Sequence, residues 1–318
     1  MLSRRHLRIK VLQAIYAFLQ NGNTDLPNGE KQLLASVDKI QELFIHQLSF
    51  LIEIRDFAHN RIEESKKKFF PTDEDLNPRM KFVDNKVLKQ IEENREFRRM
   101  HDKLKINWSE EGNVVRKAYL ALKESSFFHK YLDEEEESYE ADVELLVRIV
   151  KKIMTGFELL EYHYESRSVF WAFDSYHTAN LMVMKFLKSM KPGFNPETLL
   201  PEMIDNGEGQ EDRQFMVNLF RKTILHSDDY AVMIDEKARN WELERIALMD
   251  IILIKMALAE LLEFPSIPVK VTLNEYIDIS KYYSSAKSKV FINGILDKLI
   301  VDLKERKMIK KTGRGLME

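Results

Sequence analysis

Glycine and proline are the scarcest punctuation in this chain, 10 and 8 among 318 residues. Sheets and tight turns consume both, so so few of them restrict the polypeptide to helices joined by short loops. The apolar share of 44% against 32% charged residues is that of an ordinary packed core with a charged surface. The expected fold class is therefore all-α. At 318 residues the chain is long enough for two packed units, or for one domain carrying a large insertion.

Hydrophobic periodicity places the helices. Ser3 is a natural N-cap, and Leu7, Val11, Leu12, Ile15, Phe18 and Leu19 follow at three- and four-residue steps up to Asn21-Gly22-Asn23. Arg4, Arg5 and Arg8 fall off that apolar stripe, which predicts a basic edge facing solvent. Residues 30–68 read as a long amphipathic stretch, and Pro71 and Pro78 bracket a polar loop. The densest punctuation lies between Lys191 and Gln210, where four helices begin to follow: about 211–226, 229–240, 242–263 and 270–284, with a last one near 288–308. The 242–263 segment is apolar nearly all round and is expected at the centre of the C-terminal bundle. The segment 142–171 can also be laid without gaps on 212–241, an offset of 70. Either a degenerate internal duplication or shared amphipathicity produces such a pattern.

Charge is unevenly distributed behind a net −3. The first 24 residues hold Arg4, Arg5, Arg8 and Lys10 before any acid, and the last 15 are strongly basic, while Asp133–Glu137 is an acidic run. Basic ends on a near-neutral chain point to a local polyanion site, and the acidic run to a solvated linker. With no cysteine, thiolate metal sites, iron–sulfur clusters and cysteine nucleophiles are excluded. There is no glycine-rich phosphate loop, and the eight histidines show no metal-ligand spacing. No metal, no cofactor and no catalytic residue are expected; the chain reads as a binding protein, not an enzyme. No apolar run approaches membrane-spanning length and no signal peptide is recognisable, so a cytoplasmic location without membrane association is expected.

Two segments resemble the NusB family of bacterial transcription antitermination factors. The first is Arg4-Arg5-His6-Leu7-Arg8 followed by Leu12-Gln13-Ala14-Ile15-Tyr16. The second runs through Trp241-x-Leu-Glu-Arg245, Ala257-Leu-Ala-Glu260, Pro268-Val-Lys270, Leu273-Asn-Glu275, Lys281 and Phe291-Ile-Asn-Gly-Ile-Leu-Asp297. The resemblance implies helical bundles with a large insertion: 1–24 as the basic helix, 25–205 as the insertion, 206–308 as the C-terminal bundle and 309–318 as a basic tail. It also implies a function, pairing with ribosomal protein NusE on single-stranded boxA RNA of ribosomal RNA transcripts, and so acting indirectly on the RNA polymerase elongation complex. On this resemblance Arg4, Arg5 and Arg8 would contact phosphates, while Gln13 and Tyr16 would read or stack on bases. Tyr283, Lys287, Lys289 and Phe291 would add RNA contacts around the 284–289 loop. Glu244 and Asp250 would face NusE. Asn293-Gly294 would serve the packing, glycine by allowing close helix approach and asparagine by satisfying a nearby backbone group. The ribosomal RNA methyltransferases that also carry this domain need a Rossmann-like domain and a cysteine, both missing here. A helical scaffold or ribosome-assembly protein with weak or no RNA binding is the alternative.

Overall fold

The computed structural model describes residues 1–171, 174–204, 210–238 and 246–316, with the side chains of Ala286 and Lys287 outside the description. Among the described residues there is no strand, and the fold is all-α as expected. In chain order the helices are α1 (Arg4–Gln20), α2 (Leu26–Lys66), α3 (Asp73–Leu76), α4 (Lys86–Glu93), α5 (Arg95–Leu104), α6 (Gly112–Glu124), α7 (Ser126–Asp133) and α8 (Tyr139–Ile149). They continue with α9 (Glu158–Arg167), α10 (Asp174–Ser189), α11 (Glu211–Leu225), α12 (Ser227–Lys237), α13 (Leu248–Glu263), α14 (Val269–Tyr283) and α15 (Ala286–Glu305). The chain divides into two compact units, Asp38–Met203 with Met1, and Leu2–Val37 with Ile204–Glu318. The 30–68 stretch is a single helix, α2, whose residues are shared between the two units.

The Asp38–Met203 unit is built on aromatic side chains and a buried polar chain. Phe44 meets Phe186 edge to face, and Trp108 stacks on His163. Gln47 donates to Asn180 at 2.8 Å and Tyr164 donates to Gln47 at 3.3 Å, so these buried amides are partly satisfied within the core. Asp142 clamps α4, α7 and α8: it accepts from the Tyr131 hydroxyl at 2.6 Å and from the Lys86 N–H at 2.8 Å. The acidic run lies in the exposed turn just before α8.

In the other unit, α1 buries Leu7, Val11, Leu12, Ile15 and Phe18, the stripe read from the sequence. Ser3 caps it in a reciprocal capping box with His6. The first turns of α2 lie close against this core, where a Cβ on Gly29 would stand 2.8 Å from the Phe18 and Phe220 rings. The apolar helix expected over 242–263 begins at Leu248, with Ala247 as its N-cap; residues 242–245 are outside the described segment.

The offset of 70 persists in this pattern. Helix α8 and the π-helical turn Val150–Met154 after it correspond to α11, and α9 corresponds to α12. Leu145, Leu146, Ile149, Val150, Leu160 and Tyr164 are buried, as are Phe215, Met216, Leu219, Phe220, Tyr230 and Ile234 in the same register. Trp171 is buried, while its counterpart Trp241 lies outside the described residues.

His46 gives the Asp38–Met203 unit a pH dependence. It is 5% exposed, and its Nδ1 has no hydrogen-bond partner. Burial, followed by the fields of His163, Arg167, His101 and Lys39, lowers its pKa from 6.5 to about 3. A histidine held neutral in the folded state gains its proton only on unfolding, so its contribution is intact above the unfolded pKa and is lost as pH falls. Stability should decline between about pH 6.5 and pH 3, by a total on the order of 3–5 kcal/mol. Urea unfolding across that range checks this, and His46→Phe should flatten the decline.

Candidate nucleic-acid interface

The site is assembled around one buried ion pair. Glu260 sits in α13 within the apolar run Met256–Leu262 and is 0% exposed. An isolated carboxylate there would be prohibitively costly. Arg8 meets it with a two-pronged fork, Nε to Oε2 and Nη2 to Oε1, each at 2.8 Å. From α14, Thr272 Oγ1 donates to Oε1 at 2.8 Å and Tyr276 OH donates to Oε2 at 3.2 Å. Burial opposes the Arg8 charge, but the hydrogen bonds and field of Glu260 outweigh it and raise the guanidinium pKa further. Burial likewise pushes the Tyr276 hydroxyl well above its ordinary value, so it remains a donor.

This placement corrects the expectation for Arg8. At 2% exposure, with its fork occupied, it is a structural joint between α1, α13 and α14 rather than a phosphate contact. Arg4 and Arg5 remain at the surface, but neither is an unpaired edge. Arg5 binds Glu275 through Nε at 2.9 Å and Nη2 at 3.0 Å, and Asp278 through Nη2 at 2.8 Å. These bonds, Glu275's first, raise its pKa against a smaller cost of burial. Arg4 lies 3.5 Å from Glu211 and 3.3 Å from Asp212, and its guanidinium covers the Phe215 ring at 4.7 Å.

The remaining expected residues divide in two. Gln13 donates to the Tyr283 hydroxyl at 3.2 Å, which joins the middle of α1 to the end of α14. Tyr16 is 38% exposed and Lys289 is exposed. At about 100° per residue, Arg5, Gln13 and Tyr16 span only about 80° of α1, so they form one face. Phe291, by contrast, is 4% exposed and belongs to the core beside Ile295 and Leu299, which corrects its reading as an RNA contact. Asp250 is also corrected: at 3% exposure it accepts a hydrogen bond from Ser284, so it fastens the short turn between α14 and α15 rather than offering an acid to a partner, and the expected 284–289 loop is helical from Ala286. Glu244 and the Lys287 side chain lie outside the described residues. Asn293 bonds the Asp297 side chain at 3.0 Å, and no atom lies within 4 Å of where a Gly294 Cβ would stand, so that pair makes no close helix approach.

Sequence reading missed Glu260, Glu275 and Asp278 as the partners of the arginines. A carboxylate inside the apolar run Met256–Leu262 was the available signal for Glu260, because such a group, once buried, demands a compensating cation. A cleft of about 1230 Å³ opens in this unit between the first turns of α1 and α11 and the segment entering α14, with Phe264, Ile267 and Pro268 on its apolar side. Among the described residues no cluster of side chains is arranged to hold a metal ion, and no helix is long and apolar enough to cross a membrane.

Comparison with known proteins places this architecture. Residues 177–301 match the model of the NusB family. The transcription antitermination protein NusB of Salinibacter ruber (strain DSM 13855 / M31) is 41% identical over 110 residues, 35% of this chain and 69% of that protein. The one from Chloroherpeton thalassium (strain ATCC 35110 / GB-78) is 39% identical over 106 residues, 33% of this chain and 50% of that protein. That of Desulfatibacillum aliphaticivorans is 39% identical over 99 residues, 31% and 69% of the two chains. No solved structure matches. The helical bundle is thus of the class found in transcription antitermination proteins. The chain belongs to the NusB family, in a form extended well beyond the matched segment.

Removing Arg8 takes away the cation that meets the buried Glu260 carboxylate, and removing Glu260 leaves the buried Arg8 with only Glu275, 3.7 Å from its Nη1. Glu260→Gln is expected to cost about 3–5 kcal/mol in urea unfolding, and Arg8→Met a similar amount. The double variant should cost clearly less than the sum of the two, since the two groups act as one.

Proposed function

We propose that this protein is an RNA-binding transcription antitermination factor that pairs with ribosomal protein NusE on boxA-type RNA of ribosomal RNA transcripts. It would reach the RNA polymerase elongation complex through that assembly, in the cytoplasm and without enzymatic activity. The observation that carries the reading is the 41% identity to a transcription antitermination protein across 69% of that relative. The geometry supplies a face suited to it. Arg4, Arg5 and Lys289 can meet phosphates, which gives affinity and salt dependence. Tyr16, with the linked Gln13 and Tyr283, offers an aromatic surface and polar groups to unpaired bases. Arg8 and Phe291 serve this face from beneath by holding α1 and α15 in place. NusE contact through Glu244 stays part of the proposal.

Fluorescence anisotropy with a short boxA-like RNA and a scrambled control, with and without NusE, tests it. Three phosphate contacts give a slope of log K against log salt near −2, at about −0.7 per contact on a single strand. Tyr16→Ala should weaken boxA binding by about 1–3 kcal/mol, the worth of a stacked base. NusE should sharpen the preference for boxA over the control. Equal binding of both RNAs in the presence of NusE would refute boxA recognition, and no RNA binding at moderate salt would favour the scaffold alternative.

A further inference from the structure

The tail beyond α15 folds back onto its own bundle. Lys311 Nζ donates to the carbonyl oxygens of Glu260 at 3.4 Å and Phe264 at 3.0 Å, closing the C-terminal end of α13. The Thr312 N–H donates to the Pro265 carbonyl at 3.0 Å, and Gly313–Leu316 then form a single 3-10 turn. Gly315 is buried so tightly against Pro265 that a Cβ there would lie 1.9 Å from the carbonyl oxygen. Only glycine permits this approach. The docked turn brings Arg314 to the lining of the same cleft as Arg4 and Arg5. Two basic segments from opposite ends of the sequence therefore meet at one opening.

Their charges are not equivalent. Arg4, Arg5 and Arg8 are all engaged with carboxylates. Arg314 is exposed and makes no ion pair among the described residues. Among the described arginines lining the cleft, Arg314 from the tail is thus the one without a carboxylate partner. Arg4, on α1, lines the same cleft and holds its two acids only at 3.3 and 3.5 Å. A cleft of about 1230 Å³ with an apolar side is far larger than a lone phosphate requires. It suits a nucleotide segment, with a base against Phe264, Ile267 and Pro268 and a phosphate between guanidinium groups.

We propose that the C-terminal tail is a second wall of the RNA-binding groove, with Arg314 as its phosphate-contacting residue. This rests on the RNA-binding reading above and extends the interface from α1 to a segment beyond the family match at 177–301.

The test uses the full chain and single-stranded boxA-like RNA in a salt series. Arg314→Ala should weaken binding about 3–10-fold near 0.1 M salt and make the log–log slope shallower by about 0.7, one phosphate contact. Lys310→Ala removes the same charge from an exposed tail position outside the cleft and should bind like the parent. Gly315→Ala keeps Arg314 but undocks the turn, and should match Arg314→Ala while circular dichroism shows the helices unchanged. Parent-like binding by Arg314→Ala, an equal loss in Lys310→Ala, or full affinity in Gly315→Ala would each overturn the tail's role while leaving RNA binding standing. Failure of the parent chain itself to bind the RNA would instead bring down the RNA reading, and the tail proposal with it.

Discussion

The Arg8–Glu260 pair is the constraint on which the family bundle depends. A carboxylate with no exposure, in an apolar helix, has to be matched by a cation delivered in one orientation. Because the guanidinium fork is planar and binds both oxygens, it restricts the rotation of α1 about its own axis as well as its distance from α13. Thr272 and Tyr276 complete the carboxylate's shell and bring α14 into the same joint. With α1 held in that rotation, Arg5 falls against Glu275 and Asp278 of α14, and Gln13 reaches Tyr283 one end further along. The exposed face of α1 is therefore a consequence of a buried bond.

That arrangement also changes what the arginines contribute. A row of unpaired arginines would attract any polyanion over a long range. Arginines already bridged to carboxylates exert much less net field and release donors only where geometry allows. Arg5 is oriented by its two acids at a half-exposed position, so it has little conformational freedom left to lose in any further contact. The price is weaker nonspecific attraction. On the proposed RNA-binding reading, selectivity would come from preorganised groups such as the Gln13–Tyr283 link rather than from bare charge.

Much of this was legible in the sequence, for local reasons. The scarcity of glycine and proline and the three- and four-residue apolar spacing located α1, α11, α14 and α15 to within a few residues. The Ser3 cap was visible because capping is decided within one turn. What could not be read is whatever depends on a partner far away in the chain. Arg8 and Glu260 are separated by 252 positions, and nothing next to Arg8 distinguishes it from Arg5, which stays at the surface. Phe291 and Asp250 were misread for the same reason: an aromatic residue or an acid at a helix start carries no local mark of burial. Arg314 was only one charge in a basic tail until the closeness of Gly315 to Pro265 set its position.

The offset of 70 residues shows where the two units part company. Asn180 and Asp250 occupy equivalent positions, and both are buried acceptors, one receiving Gln47 and the other Ser284. Glu260, however, corresponds to Met190, which is buried and apolar. The Asp38–Met203 unit thus repeats the burial pattern of the bundle without the carboxylate that calls for an arginine. Its own buried carboxylate, Asp142, is held by a hydroxyl and a backbone N–H instead of an arginine, and neutral amides, hydroxyls and stacked rings tie the rest of the core. A unit that lacks the acid has no electrostatic reason to orient a basic helix as α1 is oriented. The same burial pattern therefore accompanies two different arrangements: one unit holds a basic helix through a buried ion pair, and the other has an apolar methionine where that pair's carboxylate would stand.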